Sequence, residues 1–355
     1  MRENIKKFKL HLEIMRIIAI FFVIFNHTGQ DGYFLFYHYE PDTFSYWIYM
    51  ALSVFCKFSV PLFFAVSGAL LLTKEESIKK IFTHRVFRIV SIIIAGSFGY
   101  YINYIFWVNE NFNFVDFLKN FLLHNGYYWN ATLWFLYVFT IYLIFLPFLR
   151  SIVKNSSEKI FYYAIAIHLI FMSFFPIIYY TLGAESYNFS LLEKIAFLSI
   201  FPILGFYLEY KFPVQILDLK KILYLWTVNI ATIIITCCLT HFKYQITGIQ
   251  IEDFHNCFVI VNCITVYITV KYICLKVNFS ELISSILISV GRCTLGIYLL
   301  HIFIMMLLSS MGYFDFFHRH VNHIITILIY CFLIFVIGLS ITLILKKIPI
   351  IKQLV

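Results

Sequence analysis

Ten apolar stretches of about 20 residues run through the chain, at roughly 12–29, 47–72, 86–108, 131–150, 159–181, 193–210, 219–241, 254–275, 283–309 and 323–346. A helix of that length spans a hydrocarbon layer of about 30 Å. In lipid, helices and closed barrels alone satisfy their own backbone polar groups. The pattern therefore predicts an all-α polytopic membrane protein with about ten transmembrane helices, folded as a single membrane-embedded domain over residues 1–355. Composition agrees. Hydrophobic residues make up 62% and charged residues 13%, against an ordinary charged share of about 25%. Too few charges remain to cover a soluble surface, which excludes a soluble enzyme, a disordered chain and a fibrous repeat. Aromatics reach 21%, with 42 Phe and 26 Tyr. Interfacial belts need fewer, so rings are expected to pack between helices or to line a cavity.

The formal charge of +9 would point to nucleic acid in a soluble protein. Here the basic residues form short clusters between apolar stretches, so they set topology and imply no nucleic-acid partner. Of the 27 Lys and Arg, 21 fall at alternate ends of the stretches, beginning with the N-terminal segment, and only Lys119, Lys194, Lys243 and Arg319 lie in the opposite loops. That asymmetry predicts both termini on the cytoplasmic side and an even number of spans. Asn26, His27 and Gln30 close the first stretch where a signal peptide would have a small-residue cleavage site, so it is expected to remain as a helix rather than act as a signal peptide. The eight cysteines form no CxxC pair and mostly sit in apolar stretches. They are expected to be packing residues, with no metal site.

Two stretches carry breakers. Pro61 interrupts the second, and Gly291 with Gly296 loosens the ninth. Irregular backbone at membrane depth is tolerated where protein or a wet cavity covers it.

Ionisable residues inside apolar stretches are costly and mark function. The first stretch holds Glu13, Arg16 and His27. Arg16 and His27 are 11 residues apart. At 100° per residue they lie within about 20° of each other around the helix, and roughly 16 Å apart along its axis. A shared face suits an interior rather than a lipid boundary. Lys57 lies within the second stretch, followed by Ser59, Pro61, Ser67 and Gly68; His301 lies within the ninth. His168 in the fifth has no nameable partner and reads as structural. Arg85 and Arg88 form an RxxR pair that opens the third, beside His84. Three-residue spacing puts both guanidinium groups on one helix face, where they can grip phosphate through forked hydrogen bonds.

Taken in order, these pieces resemble the acyltransferase-3 family of integral membrane acyltransferases. MRIIAIFFVIFNH is similar to its first helix, with Arg16 and His27 in the R-x10-H pattern and Glu13 three residues before the Arg. VPLFFAVSGALLL, with Ser67 and Gly68, is similar to its second helix, and HRVFRI to its RxxR segment. LWFLYVFTIYLIFLPFLR, from Leu133, is similar to its fourth helix, and SVGRCTLGIYLLH, ending at His301, to its late segment. Family members often carry His just before the LWF tripeptide, where this chain has Thr132, with His124 a distant substitute. Many also carry a C-terminal esterase-like domain; with the sequence ending at Val355, a one-component membrane step is implied.

The resemblance implies transfer of an acyl group, usually acetyl, from acyl-CoA (acetyl-CoA or another) to a hydroxyl of a cell-surface or lipid-linked glycan, in a multi-pass protein of the cell membrane, expected to be a bacterial plasma membrane. His27 is expected to act as general base, with a transient acyl-His27 as the covalent variant. Glu13 is expected to pair with and orient Arg16, and Arg85 and Arg88 to bind the CoA phosphates. Lys57 or His301 is expected to stabilise the thioester oxyanion. Trp134 and Trp129, with nearby tyrosines, are expected to stack on sugar rings, and Ser67 to lie in the same substrate-binding region. The competing class is an exporter or flippase of a polysaccharide or lipid-linked sugar, which an aromatic cavity with buried His, Lys and Arg would also suit. Oligomeric state is open.

Overall fold

The computed structural model describes residues 2–41, 43–123, 131–182, 195–248, 254–314 and 322–349. Those residues are helical, with no strand among them. In chain order the helices are α1 (Arg2–Asn26), α2 (Phe44–Cys56), α3 (Ser59–Leu71), α4 (Ile78–Val108), α5 (Phe114–Leu123), α6 (Trp134–Asn155), α7 (Glu158–Tyr180), α8 (Ala196–Tyr210), α9 (Leu219–Thr247), α10 (Val259–Lys276), α11 (Glu281–Gly291), α12 (Thr294–Ser310) and α13 (His323–Leu345).

Among the described residues, seven spans are long and apolar enough to cross a membrane: α2 with α3, then α4, α6, α7, α9, α10 and α13. The pair α11–α12 makes an eighth if counted as one span, although it bends by 59°. The first and sixth of the ten expected stretches are helical but are not among these spans. α1 is long but carries Glu13 and Arg16 in its apolar part, and α8 is a shorter apolar helix. His124, Tyr127, Tyr128, Trp129, Glu193 and Lys194 lie outside the described residues.

Both expected irregularities are present, and their positions have a physical cause. The α2–α3 break falls at Lys57–Phe58, one turn before Pro61. A proline has no N–H to bond the carbonyl four residues back, and its ring clashes there. For Pro61 that carbonyl belongs to Lys57, so the helix restarts at Ser59 with the proline in its first turn, where a missing N–H costs nothing. The α11–α12 bend falls at Arg292–Cys293, directly after Gly291.

α1 is the central helix, packed against α2, α3, α10, α11, α12 and α13. Met15, Ala19, Ile20 and Ile24 are fully buried on it. α3 and α8 approach backbone to backbone. A Cβ on Gly68 would stand 2.0 Å from the Pro202 carbonyl oxygen, and one on Gly205 would stand 1.8 Å from that of Ala65. Small residues at such crossings drive helix association in lipid, where burial of apolar surface gives no advantage. By contrast, α9 turns Leu223, Tyr224, Ile230 and Ile234 outward, as a lipid-facing helix does.

A buried polar cluster ties α8 to α1 and α10. The Glu209 carboxylate is 3.0 Å from His11 Nε2 and accepts from the Tyr267 hydroxyl at 2.8 Å. Lys271 Nζ donates to the carbonyls of Leu208 and Glu209, each at 2.8 Å. These partners explain why a glutamate is accommodated at the end of α8: a buried charge is tolerable when paired and hydrogen-bonded.

Candidate active site

A cavity of about 1960 Å³ lies inside the bundle, and both Arg16 and His27 border it. The alignment expected from their spacing on α1 is therefore an alignment toward an interior space. Lys57, Ser67, Arg85, Arg88 and Trp134 also line this cavity. Glu13 and His301 are not among its lining residues, but they contact Arg16 and His27, which are.

His27 follows the last residue of α1, and three contacts fix that end. Asn26 Nδ2 donates to the Cys56 carbonyl at 3.3 Å and to Ser59 Oγ at 3.0 Å, and Cys56 Sγ donates back to Asn26 Oδ1 at 3.0 Å. The end of α1 is thus fastened to the α2–α3 break, which brings Lys57 to the same part of the cavity. Lys57 Nζ lies 4.7 Å from the Tyr33 ring centroid. His27 Nδ1 is 2.8 Å from the Val23 carbonyl, so Nδ1 carries the proton and donates, while Nε2 keeps its lone pair.

His301 is fully buried on α12. Its ring meets that of His27 edge to face, with centroids 4.9 Å apart. Its Nδ1 donates to the Tyr298 carbonyl, and its Nε2 has no hydrogen-bond partner. The two imidazoles hold the same tautomer for the same reason, a backbone carbonyl one turn back. Tyr298, in turn, donates its hydroxyl to the Thr132 carbonyl. Thr132, at the position where the resembled family often has histidine, borders the cavity.

The arginine-rich part of the cavity is organised by two carboxylates. Arg16 Nη1 donates to both oxygens of Glu13, at 3.1 and 3.2 Å. A Cβ on Gly291 would stand 2.6 Å from Glu13 Cβ and Oε2, so glycine lets α11 seat against α1 at this ion pair. Glu76, in the loop before α4, accepts from Arg85 Nε at 2.9 Å and Nη2 at 2.7 Å, and from Arg150 Nη2 at 2.9 Å. Chiefly the Arg85 hydrogen bonds, opposed by burial and helped by Arg150, hold the Glu76 carboxyl at about 2. Arg85 therefore presents a fork already engaged on one edge. Its place is the wide turn Ile81–Val86 at the start of α4, a geometry that breaks the regular register and recurs at functional sites.

Three groups of lining residues escape the sequence reading. Arg292, at the α11–α12 bend, borders the cavity with Lys346 of the segment after α13. Lys346 Nζ donates to the Arg292 carbonyl at 2.7 Å. The cavity face of α11 runs Glu281, Ser284, Ser285, Ile288, Ser289 and Arg292, a spacing of three and four that the sequence displays once α11 is separated from α12. His168 also borders the cavity.

The arrangement supplies guanidinium groups for an anionic ligand and, in the same space, an oriented imidazole lone pair able to take a proton from a hydroxyl. Among the described residues no cluster of metal-ligating side chains occurs. An acyltransferase domain family matches residues 10–344, and the chain belongs to that family, acyltransferase-3, whose segments the sequence resembles. No curated protein and no solved structure matches the chain.

Proposed function

We propose that this membrane acyltransferase moves an acyl group, acetyl in the simplest case, from acyl-CoA at the cytoplasmic end of the cavity to a hydroxyl of a cell-surface or lipid-linked glycan entering from the other side. The observation that carries this reading is the one cavity bordered by Arg16, Arg85, Arg88 and Arg292 as well as by His27 and Lys57. The cations suit the phosphates of CoA. The roughly 16 Å between Arg16 and His27 along α1 is the order of length of the pantetheine arm.

The chemistry then follows from the groups in place. The acceptor oxygen attacks the thioester carbonyl carbon while its hydroxyl proton passes to His27 Nε2. The negative charge on the carbonyl oxygen faces Lys57. Collapse of the tetrahedral species breaks the C–S bond, and the leaving thiolate takes the proton from His27, giving an ester and a free thiol. The Val23 carbonyl holds His27 in the tautomer this needs, and His301 supports the ring from behind. Glu13 keeps Arg16 in place. Net positive charge at the inner ends of the helices supports placing both termini in the cytoplasm.

The experiment is thiol release. Purified protein, acetyl-CoA and the acceptor glycan yield free CoA thiol and an acetylated sugar. An exporter of a polysaccharide yields neither, and absence of thiol release with every envelope glycan of the host would reject acyl transfer.

A further inference from the structure

The turn that follows His27 carries a residue the acyl-transfer scheme leaves unused. Tyr33 borders the cavity together with His27 and Lys57. The Lys57 ammonium lies over its ring face, 4.7 Å from the centroid. Tyr33 itself is 2% exposed, so a ligand in the cavity meets the lysine laid over the ring and not the ring itself. Lys57 stands in the two-residue break between α2 and α3, which fixes its backbone and leaves its long side chain to be held by something else.

The turn is built to fix that ring. Gly29 takes a left-handed φ of +56°, which glycine adopts freely, and the Phe34 N–H donates back to the Gly29 carbonyl at 2.8 Å. The Tyr33 N–H donates to Thr28 Oγ1 at 2.9 Å, and that hydroxyl donates in turn to the Phe25 carbonyl at 2.7 Å. Ser53 Oγ donates to the Tyr33 carbonyl. The Tyr33 hydroxyl lies 3.0 Å from His255 Nδ1, and the Phe34 ring meets the tyrosine edge to face at 4.7 Å. α1, α2 and the segment before α10 thus converge on one tyrosine, through its backbone, its ring and its hydroxyl.

We propose that Tyr33 is the positioning residue for Lys57: its fixed ring face presents the ammonium to the cavity, at the place where the thioester oxyanion forms. The inference rests on the acyl-transfer reading, in which Lys57 faces that oxyanion. Stabilisation of a developing charge depends on a donor that is in place beforehand. A lysine is poorly suited to this by itself, because its ammonium rides on a flexible four-carbon stem. An aromatic face supplies the missing constraint. It attracts the ammonium through the ring quadrupole, and unlike a carboxylate it does not cancel the positive charge that the oxyanion needs. With no atom of its own on the substrate, Tyr33 acts through the lysine. The base and the platform for the cation then lie on one fastened segment, six residues apart.

Purified full-length protein, radiolabelled acetyl-CoA and envelope glycan extracted from the host supply the assay. Label reaching the glycan comes first; its absence rejects acyl transfer itself. Lys57→Met should lower kcat by about 100-fold or more, as loss of an oxyanion donor does. Wild-type turnover in that variant removes the lysine from the chemistry, and the role of Tyr33 with it. Tyr33→Leu should lower kcat by about 10-fold or more, with the KM for acetyl-CoA within about twofold of wild type. Tyr33→Phe keeps the ring face and should retain most of the wild-type kcat. Tyr33→Leu added to Lys57→Met should cost nothing further, because both changes remove the same interaction. Losses that multiply in the double variant mark a merely structural tyrosine and overturn the proposal, as does wild-type kcat in Tyr33→Leu. Where the leucine variant does not fold, phenylalanine analogues of increasing fluorine content at position 33 nearly preserve the ring's shape while weakening its attraction for a cation. Turnover should fall stepwise along that series, and a flat series overturns the assignment.

Discussion

The rings of His27 and His301 meet edge to face at 4.9 Å, and each gives its Nδ1 proton to a carbonyl of its own helix. Only His27 borders the cavity. The pair therefore divides into a ring that faces the cavity and a buried ring packed against it. His27→Ala should lower acetyl transfer by about 10²–10⁴-fold, the usual contribution of a positioned base, with the protein still inserted and monodisperse. His301→Leu should lower kcat while leaving acetyl-CoA affinity unchanged. Both are read by thiol release and acetyl-CoA titration; wild-type turnover by His27→Ala removes His27 from the chemistry.

Arg85 and Arg88 differ in their surroundings. Glu76 occupies two nitrogens of Arg85, whereas Arg88 is exposed and borders the cavity. Arg88→Ala and Arg292→Ala should each weaken acetyl-CoA binding by about 10-fold or more, as loss of a charge-assisted hydrogen bond does. Arg85→Ala should weaken binding and also lower thermal stability, because it strips a partner from Glu76. Calorimetric titration and thermal unfolding separate the two effects, and unchanged affinity in the Arg85→Ala, Arg88→Ala double variant would refute phosphate binding there.

Glu76 also sets an acid limit. Its carboxyl titrates at about 2 in the fold, against 4.5 when unperturbed. A depressed carboxyl stabilises the fold at pH above its unfolded value and loses that contribution as pH falls toward the folded one. Thermal stability in detergent should therefore decline between roughly pH 4.5 and pH 2. Glu76→Gln should be less stable than wild type at neutral pH and show a flatter decline over this interval.

The α3–α8 crossing tolerates no side chain. With carbonyl oxygens 2.0 and 1.8 Å from where a Cβ would stand, Gly68→Val or Gly205→Val must push the helices apart. Overpacking of this kind costs about 1–3 kcal/mol or more, and both variants should melt earlier in detergent or fail to accumulate. A valine at either position with wild-type melting would show that the helices are not in backbone contact.

Topology is open to direct labelling. Single cysteines placed in the 30–46 loop should react with an impermeant maleimide added outside intact cells. Reaction only after the cells are opened would reverse the orientation.

Most of the helices were legible because lipid imposes one rule on every backbone, and apolar length reports it residue by residue. The R-x10-H alignment was legible for a similar reason, since a helix converts spacing into direction. Pro61 and Gly291 announced broken helices, although the chain places one break at Lys57, where the proline's missing bond falls, and turns the other into a bend that sets α11 apart. What no local pattern encodes is who stands opposite. That His301 lies against His27, that Glu76 holds Arg85, and that Glu209 finds His11 and Lys271 all depend on contacts between segments distant in sequence. The sequence by itself determined which segments form apolar helices and which of their faces are polar, because those are properties of single helices. Tertiary structure decided which polar faces share a cavity, because helix crossings in lipid are set by close packing and paired hydrogen bonds between partners rather than by burial of apolar surface.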